Sequence, residues 1–206
     1  MVELVLILPI LVSLFMGVST AAAFLNDAQL AGQAVKAGAR LAAEDGNAGY
    51  VSTNSAKGCQ LVANGGTGSP NDPCEVDQES IQTVISVVGG LTNFSAISEI
   101  DVYEPCAFPG QACTASTEVC TYLNSGLSGA YQAGDPEDVY KLQGGVWTRQ
   151  GSPGYTLDLR NQMEPNESPV GVRVVYTFQA SAPITFFNFQ TSQYATACLA
   201  PALEGV

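Results

Sequence analysis

The sequence predicts an α+β protein: a long N-terminal helix packed as a stalk on a small antiparallel β-sheet head, with one further helix and disulfide-pinned loops. Three observations predict it. The first 25 residues, MVELVLILPILVSLFMGVSTAAAFL, form an apolar run whose one ionisable side chain is Glu3, and they run on into an amphipathic stretch. Residues 170–179 and 191–199 read as strands, the first alternating with the two-residue period of a pleated chain. Six cysteines, at 59, 74, 106, 113, 120 and 198, all lie beyond the helix, an even count suited to disulfides in an oxidising compartment.

The apolar run comes first. As a helix, 25 residues reach about 37 Å, enough to cross a hydrocarbon core of about 30 Å. A secretory signal peptide would open on a basic region and carry a shorter apolar core, whereas the first cation here is Lys36. A permanent signal anchor takes its orientation from flanking Lys or Arg, and none precedes the run. The reading adopted is that a short basic leader is removed upstream and that Met1 begins, or nearly begins, the mature protein.

Glu3 bears on the same choice, because a carboxylate in hydrocarbon is costly unless neutralised or paired. At a helix start it sits either among headgroups or, in a stack of staggered helices, against the α-amino group of a neighbour, which would make assembly register-specific. Pro9 removes a backbone donor and is expected to loosen the helix locally. Gly17, Ser19, Thr20 and Ala21–Ala23 form a small-residue surface suited to close helix packing.

Between residues 26 and 43, Leu30, Ala34, Val35, Gly38 and Leu41 recur at helical spacing, while Asp27, Gln29, Gln33, Lys36 and Arg40 are read onto other faces. One continuous helix is therefore expected from about 2 to 43, ending near Asp45 and Gly46. The resulting division is 1–25 for the membrane or filament core, 26–45 for the amphipathic continuation, and 46–206 for an extracellular globular head.

The head begins with a Gly-, Ser- and Asn-rich loop. A helix should follow Pro73, with Glu75, Asp77 and Glu79 complementing its dipole and Ile81, Val84, Ile85 and Val88 buried. A strand at 98–103 places Ile100 and Val102 inward and Glu99, Asp101 and Tyr103 outward. A second strand is weaker at 117–123. Gly and Pro punctuate 124–168, where turns and short strands are expected around Trp147. In the 170–179 strand, Val170, Val172, Val174, Tyr176 and Phe178 share a face. Its connection to the last strand, PITFFNF, is aromatic where a hairpin should be polar. Phe186, Phe187 and Phe189 there either pack into the core or face a membrane and then a neighbouring subunit.

Composition excludes several functions. A net charge of −12 disfavours nucleic acid, and the lack of histidine removes imidazole metal sites and His-based triads. No cysteine pair has the C-x-x-C spacing of structural zinc. No cofactor or metal is expected. Cys59 and Cys74 bracket a loop and are the best local pair, and Cys198 is expected to tie back to Cys106, Cys113 or Cys120. Asp135, Glu137 and Asp138, like the acids between Asp72 and Glu79, read as solvated loop carboxylates, and no enzyme is expected. A weak calcium site there is the remaining possibility, without EF-hand spacing. Tyr103, Tyr122, Tyr131, Tyr140 and Trp147 are either packing groups or the aromatic contacts of a binding surface.

VELVLILPILVSLFMG followed by AGQAVKAGARLAA resembles the N-terminal helix of TadE-like pseudopilins, the minor-pilin family of tight-adherence pili. GVRVVYTF, a proline-containing connection and QYATACLAPA resemble the end of the same domain, and SEIDVY, Trp147 and Arg160 follow its order. The likeness spans most of the chain and is strongest at its two ends. It implies export by a type IV pilus-like machine, cleavage by a prepilin peptidase, and incorporation into a filament through contacts with itself or sister pilins. It also implies an assembly role for Glu3. In type IV pilins that acid usually stands fifth in the mature chain, and here it stands third. The expected function is a structural, pilin-like filament subunit, membrane-inserted before assembly and extracellular after it; the alternative is a pilus-tip adhesin or a membrane-anchored surface binding module.

Overall fold

The computed structural model of the chain describes residues 2–46, 74–91, 95–106, 120, 129–151, 154–155, 159–160, 167–179 and 188–199, with side chains of the first helix described from Ile7 onward. It is α+β. Helix α1 runs unbroken from Val2 to Asp45 and passes through Pro9, whose ring forfeits the bond to the Val5 carbonyl. Gly46 ends it: φ is 52° and its N–H donates to the Ala42 carbonyl at 3.0 Å, the left-handed cap that glycine adopts without a Cβ penalty.

Helix α2, Cys74–Val88, buries Ile81, Val84 and Val88 as its spacing predicts. It ends where the Gly89 N–H donates to the Ile85 carbonyl and the Leu91 N–H to the Val88 carbonyl, both at 2.9 Å.

Five strands follow: β1 Ser95–Tyr103, β2 Glu137–Gln143, β3 Val146–Gln150, β4 Pro169–Gln179 and β5 Asn188–Cys198. They form one antiparallel sheet in the order β3-β2-β1-β4-β5. The strands expected at 98–103, 170–179 and 191–199 are all present and slightly longer. The β2–β3 hairpin turns on Gly144 and Gly145, with φ of 60° and 85°, the pair of positive values that a tight two-residue turn requires. Of the strand expected at 117–123, only Cys120 is described.

One sheet face carries the core. Ile100, Val102, Tyr140, Val170, Val172, Val174 and Tyr176 pack with Ala31, Ala34, Val35, Ala39 and Ala42 of α1 and with the α2 stripe. Alanine dominates the buried side of α1, so helix and sheet approach closely. Leu30 and Leu41, expected inside, are only half-buried. Gly38 supplies the closest approach: a Cβ there would lie 2.5 Å from Val84 Cγ2, and Ser80 Oγ donates to its carbonyl at 2.8 Å.

The structure corrects the placement of several acids: Asp77 and Asp135, read among the solvated loop carboxylates, are both buried. Asp27, read onto an outer face of α1, is fully buried and accepts a 2.6 Å hydrogen bond from Ser95 Oγ. It stands one helical step, i to i+4, before Ala31 and so shares that residue's inward face. Glu137 and Asp138, read as loop carboxylates, belong to β2, and Asp138 is buried.

Candidate functional site

The surface that sets this chain apart is the first half of α1. Ile10, Leu11, Leu14, Phe15 and Val18 are each more than 60% exposed, and none of the apolar window is buried among the described residues. It is long and apolar enough to cross a membrane, with a mean hydropathy of 2.1. Every hydroxyl it carries is turned back on the helix: Ser13 Oγ donates to the Ile10 carbonyl at 2.8 Å, Ser19 Oγ to Phe15 at 2.9 Å, and Thr20 Oγ1 to Met16 at 2.9 Å. No side-chain donor of those three is left to seek water, as a non-aqueous setting requires.

The three candidate assembly residues fall on this segment. Glu3 lies in the helix near its start, its side chain outside the described set. Pro9 is enclosed in the helix. Among the described residues, Gly17 has nothing within 4 Å of where a Cβ would be, in contrast to Gly38.

The bare half stops at an aromatic seam. Phe24 meets Phe178 at 5.4 Å and Phe189 at 5.2 Å between ring centroids, both edge-on. One turn further, Asp27 takes the Ser95 bond. Phe189 therefore belongs to β5 and to the seating of the stalk, although it keeps 38% of its surface exposed. This corrects its placement in a hairpin loop; Phe186 and Phe187 lie outside the described residues.

Two polar clusters tie elements of the head together behind that seam. The first is buried. Arg160 Nη1 donates to Asp77 Oδ1 at 2.7 Å, Tyr140 OH donates to Asp77 Oδ2 at 3.0 Å, and Arg160 Nη2 donates to the Tyr155 carbonyl at 3.1 Å. Asp138 Oδ2 stands 3.8 Å from Arg160 Nη2, and Asp138 Oδ1 accepts the Gly154 N–H at 3.1 Å. The residue at 154 must be glycine, because a Cβ would strike the Glu137 backbone. Burial, together with the neighbouring Asp77 carboxylate, pushes Asp138 up to about 7 despite Arg160. Asp77 thus sits in the first turn of α2, where the dipole favours it, yet its partner lies 83 residues away. In sequence these acids look like separate solvated groups. The only available signal was Arg160 itself, one of seven cations in the chain.

The second cluster covers the opposite sheet face. Arg173 Nη1 donates to Asp101 Oδ2 at 2.8 Å and lies 3.6 Å from Glu99 Oε1, while Lys141 Nζ pairs with Glu99 Oε2 at 2.9 Å. Tyr131 stacks on the Arg173 guanidinium 3.9 Å from its ring centroid and meets Tyr103 edge-on at 5.3 Å. Asp101 and Tyr103 do point away from the core, as predicted, but both are buried. Tyr103 lies across Gly171, where any Cβ would enter its ring. Burial, with Glu99 beside it, pushes Asp101 up to about 8, and Arg173 offsets part of this.

Cys120 and Cys198 form a disulfide across 78 residues, choosing among the three partners open to Cys198. Cys106 is also disulfide-bonded. Cys74 opens α2, and Cys59 and Cys113 lie outside the described residues. The bridge fastens the end of β5 beside backbone bonds from Cys120 N–H to the Glu167 carbonyl at 2.9 Å and from Leu199 N–H to the Ser168 carbonyl at 3.0 Å. Among the described residues, no group of His, Cys, Asp and Glu is arranged to hold a metal ion.

Fold and site together define a class: a disulfide-fastened α+β head carried on a membrane-length helix that is half embedded in it. No family model, curated protein or solved structure matches the chain.

Proposed function

We propose that this chain is a pilin-like structural subunit, held in a membrane by the first half of α1 and assembled through that half into an extracellular filament of itself or of sister subunits. The observation that carries the reading is the division of one continuous helix at Phe24–Asp27. Beyond it α1 is part of the head's core, and before it α1 is bare. A membrane anchor alone needs no such fusion, since a short tether would serve.

Exposing a large aliphatic side chain to water costs about 1.5–3 kcal/mol, so the bare half must be covered wherever the protein resides. Lipid does this before assembly. Moving from lipid to helix neighbours then gains little from the hydrophobic effect, and close packing at small residues must supply the selectivity. Gly17, with open space among the described residues where a Cβ would stand, is a position free to do so. The rigid connection through the head would turn each helix–helix contact into a fixed placement of heads around an axis.

A tip adhesin or membrane-anchored binding module is less well supported, because Tyr103 and Tyr140 are fully buried and Tyr131 is engaged with Arg173. Immunogold electron microscopy tests the proposal. Gold against this chain should line surface filaments, and those filaments should vanish when it is deleted. Glu3→Ala should lower filament number while leaving membrane insertion unchanged. Gold confined to the cell envelope, with filaments unaffected, would reject it.

A further inference from the structure

Five chain ends gather at the pole of the head from which the bare half of α1 emerges. The register of the sheet puts the start of β1, the end of β4, the start of β5 and the β2–β3 turn at this one end. The end of α2 joins them, because Gly90 lies against Leu30 of α1. The chain carries 19 acids, yet it has no Asp, Glu, Lys or Arg in 80–98, 142–148 or 174–203. The described residues of the pole, 89–91, 95–96, 142–145, 179 and 188–189, come from these stretches, and the one acid nearby, Asp27, is buried against Ser95. Among the described residues, an acidic head thus presents an uncharged end around a membrane-length helix.

On the helix side of that pole, a groove of about 520 Å³ opens between the end of α2 and the β2–β3 hairpin. Ile85, Leu91, Ile97, Leu142 and Trp147 line it; Leu142 is 48% exposed and Trp147 half-buried. Depth agrees with placement. About 20 residues of α1 cross the hydrocarbon core, and the polar layer beyond it is about 5–8 Å thick, or roughly four or five residues at 1.5 Å each. Counted from Glu3 and Leu4, the core ends near Phe24 and the polar layer takes in Leu25 to about Gln29, next to the level of this pole. Trp is the side chain suited to that layer, apolar in its body with one donor at its edge.

We propose that this pole rests on the bilayer that holds α1, and that the Trp147–Leu142 groove takes up a phospholipid acyl chain at the interface. The inference rests on the membrane placement of α1 and is independent of filament formation. Uncharged rims suit it, since an acidic pole would be repelled by anionic headgroups. Lipid is favoured over a second copy of the chain because the groove opens at the end of the head from which α1 emerges, beside Ser95 and the Gly90–Leu30 contact, at the depth of the headgroup layer.

Trp147 is the only tryptophan, so its fluorescence reports on this groove alone. The experiment uses the full chain in phosphatidylcholine vesicles, with acyl chains brominated near the headgroup, brominated near the methyl end, or unbrominated. Co-sedimentation with the vesicles is measured in parallel. The expected result is loss of Trp147 emission, greater with bromine near the headgroup, and a smaller loss in Leu142→Asp, which should co-sediment equally. Co-sedimentation without quenching would overturn the proposal while leaving the membrane helix intact. A blue shift appearing only on filament formation would assign the groove to a second copy. Failure to co-sediment would reject this inference and the membrane reading together.

Discussion

Ser95 donates its hydroxyl hydrogen to Asp27 at 2.6 Å across 68 residues of sequence, joining the start of β1 to the point where α1 becomes part of the head. The acid is fully buried. Removing one partner of a buried carboxylate costs about 1–3 kcal/mol. Ser95→Ala should lower stability by that amount in denaturant unfolding of the full chain in detergent, and an unchanged midpoint would remove the bond from any seating role.

Arg160 stands between two carboxylates with none of the three in contact with water. Arg160→Leu leaves Asp77 and Asp138 buried together, and breaking such a pair costs about 3–5 kcal/mol. Arg160→Lys should rescue little, since a single ammonium cannot serve Asp77 and the Tyr155 carbonyl as a planar fork does. Thermal unfolding of the two variants checks both statements.

The head should be most stable in mild acid. Asp138 is raised from 3.8 to about 7 and Asp101 from 3.8 to about 8. A raised carboxyl pKa means the folded head retains a proton that the unfolded chain releases. The stability this adds is complete below 3.8 and is lost as pH climbs through the folded values. Between these limits the expected loss is about 1.4 kcal/mol per pH unit for each proton retained. Urea midpoints measured across that range should fall steadily; midpoints that stay flat or rise would show that neither group holds a proton in the folded head that the unfolded chain releases.

The Cys120–Cys198 bridge closes a long loop around the end of β5. Replacing both cysteines with serine should cost about 2–5 kcal/mol and should loosen β5 before the α1–α2 contact. Hydrogen exchange resolved by strand would detect the order of opening.

Gly17 and Gly38 should separate assembly from folding. Gly38→Leu would drive a side chain into Val84 and should destabilise the head by about 1–3 kcal/mol or more. Gly17→Leu meets open space and should leave stability within about 0.5 kcal/mol, while lowering filament yield. Equal effects of the two on unfolding would refute the distinction.

Much of this architecture can be read from residue order. The apolar run, the Gly46 stop, the α2 stripe and the alternation in β4 each follow from a local period or a cap, and all four appear where expected. What sequence could not reveal depends on meetings between distant residues. Asp27 looks in sequence like one more polar residue on an amphipathic helix, and its partner Ser95 stands 68 residues away. Asp77 and Asp138 read as surface acids because Arg160 lies far along the chain from both. Phe189 was read into a hairpin connection because aromatic residues continue without a break from Phe186. Nothing in that run marks the point where β5 begins to pair with β4. The pairing of Cys198 was likewise narrowed by chain position but decided only by the fold.

The central claim is that the bare half of α1 exchanges lipid for other subunits. Phe15, 70% exposed, is the position to test it, by replacing it with the photoreactive benzoylphenylalanine and irradiating both intact cells and filaments sheared from their surface. Sheared material should yield protein–protein adducts at this position, joining α1 to α1 of another copy or of a sister subunit, whereas the membrane pool should yield adducts to lipid. Lipid adducts alone in every fraction, with no chain found among the sheared filaments, would contradict the account.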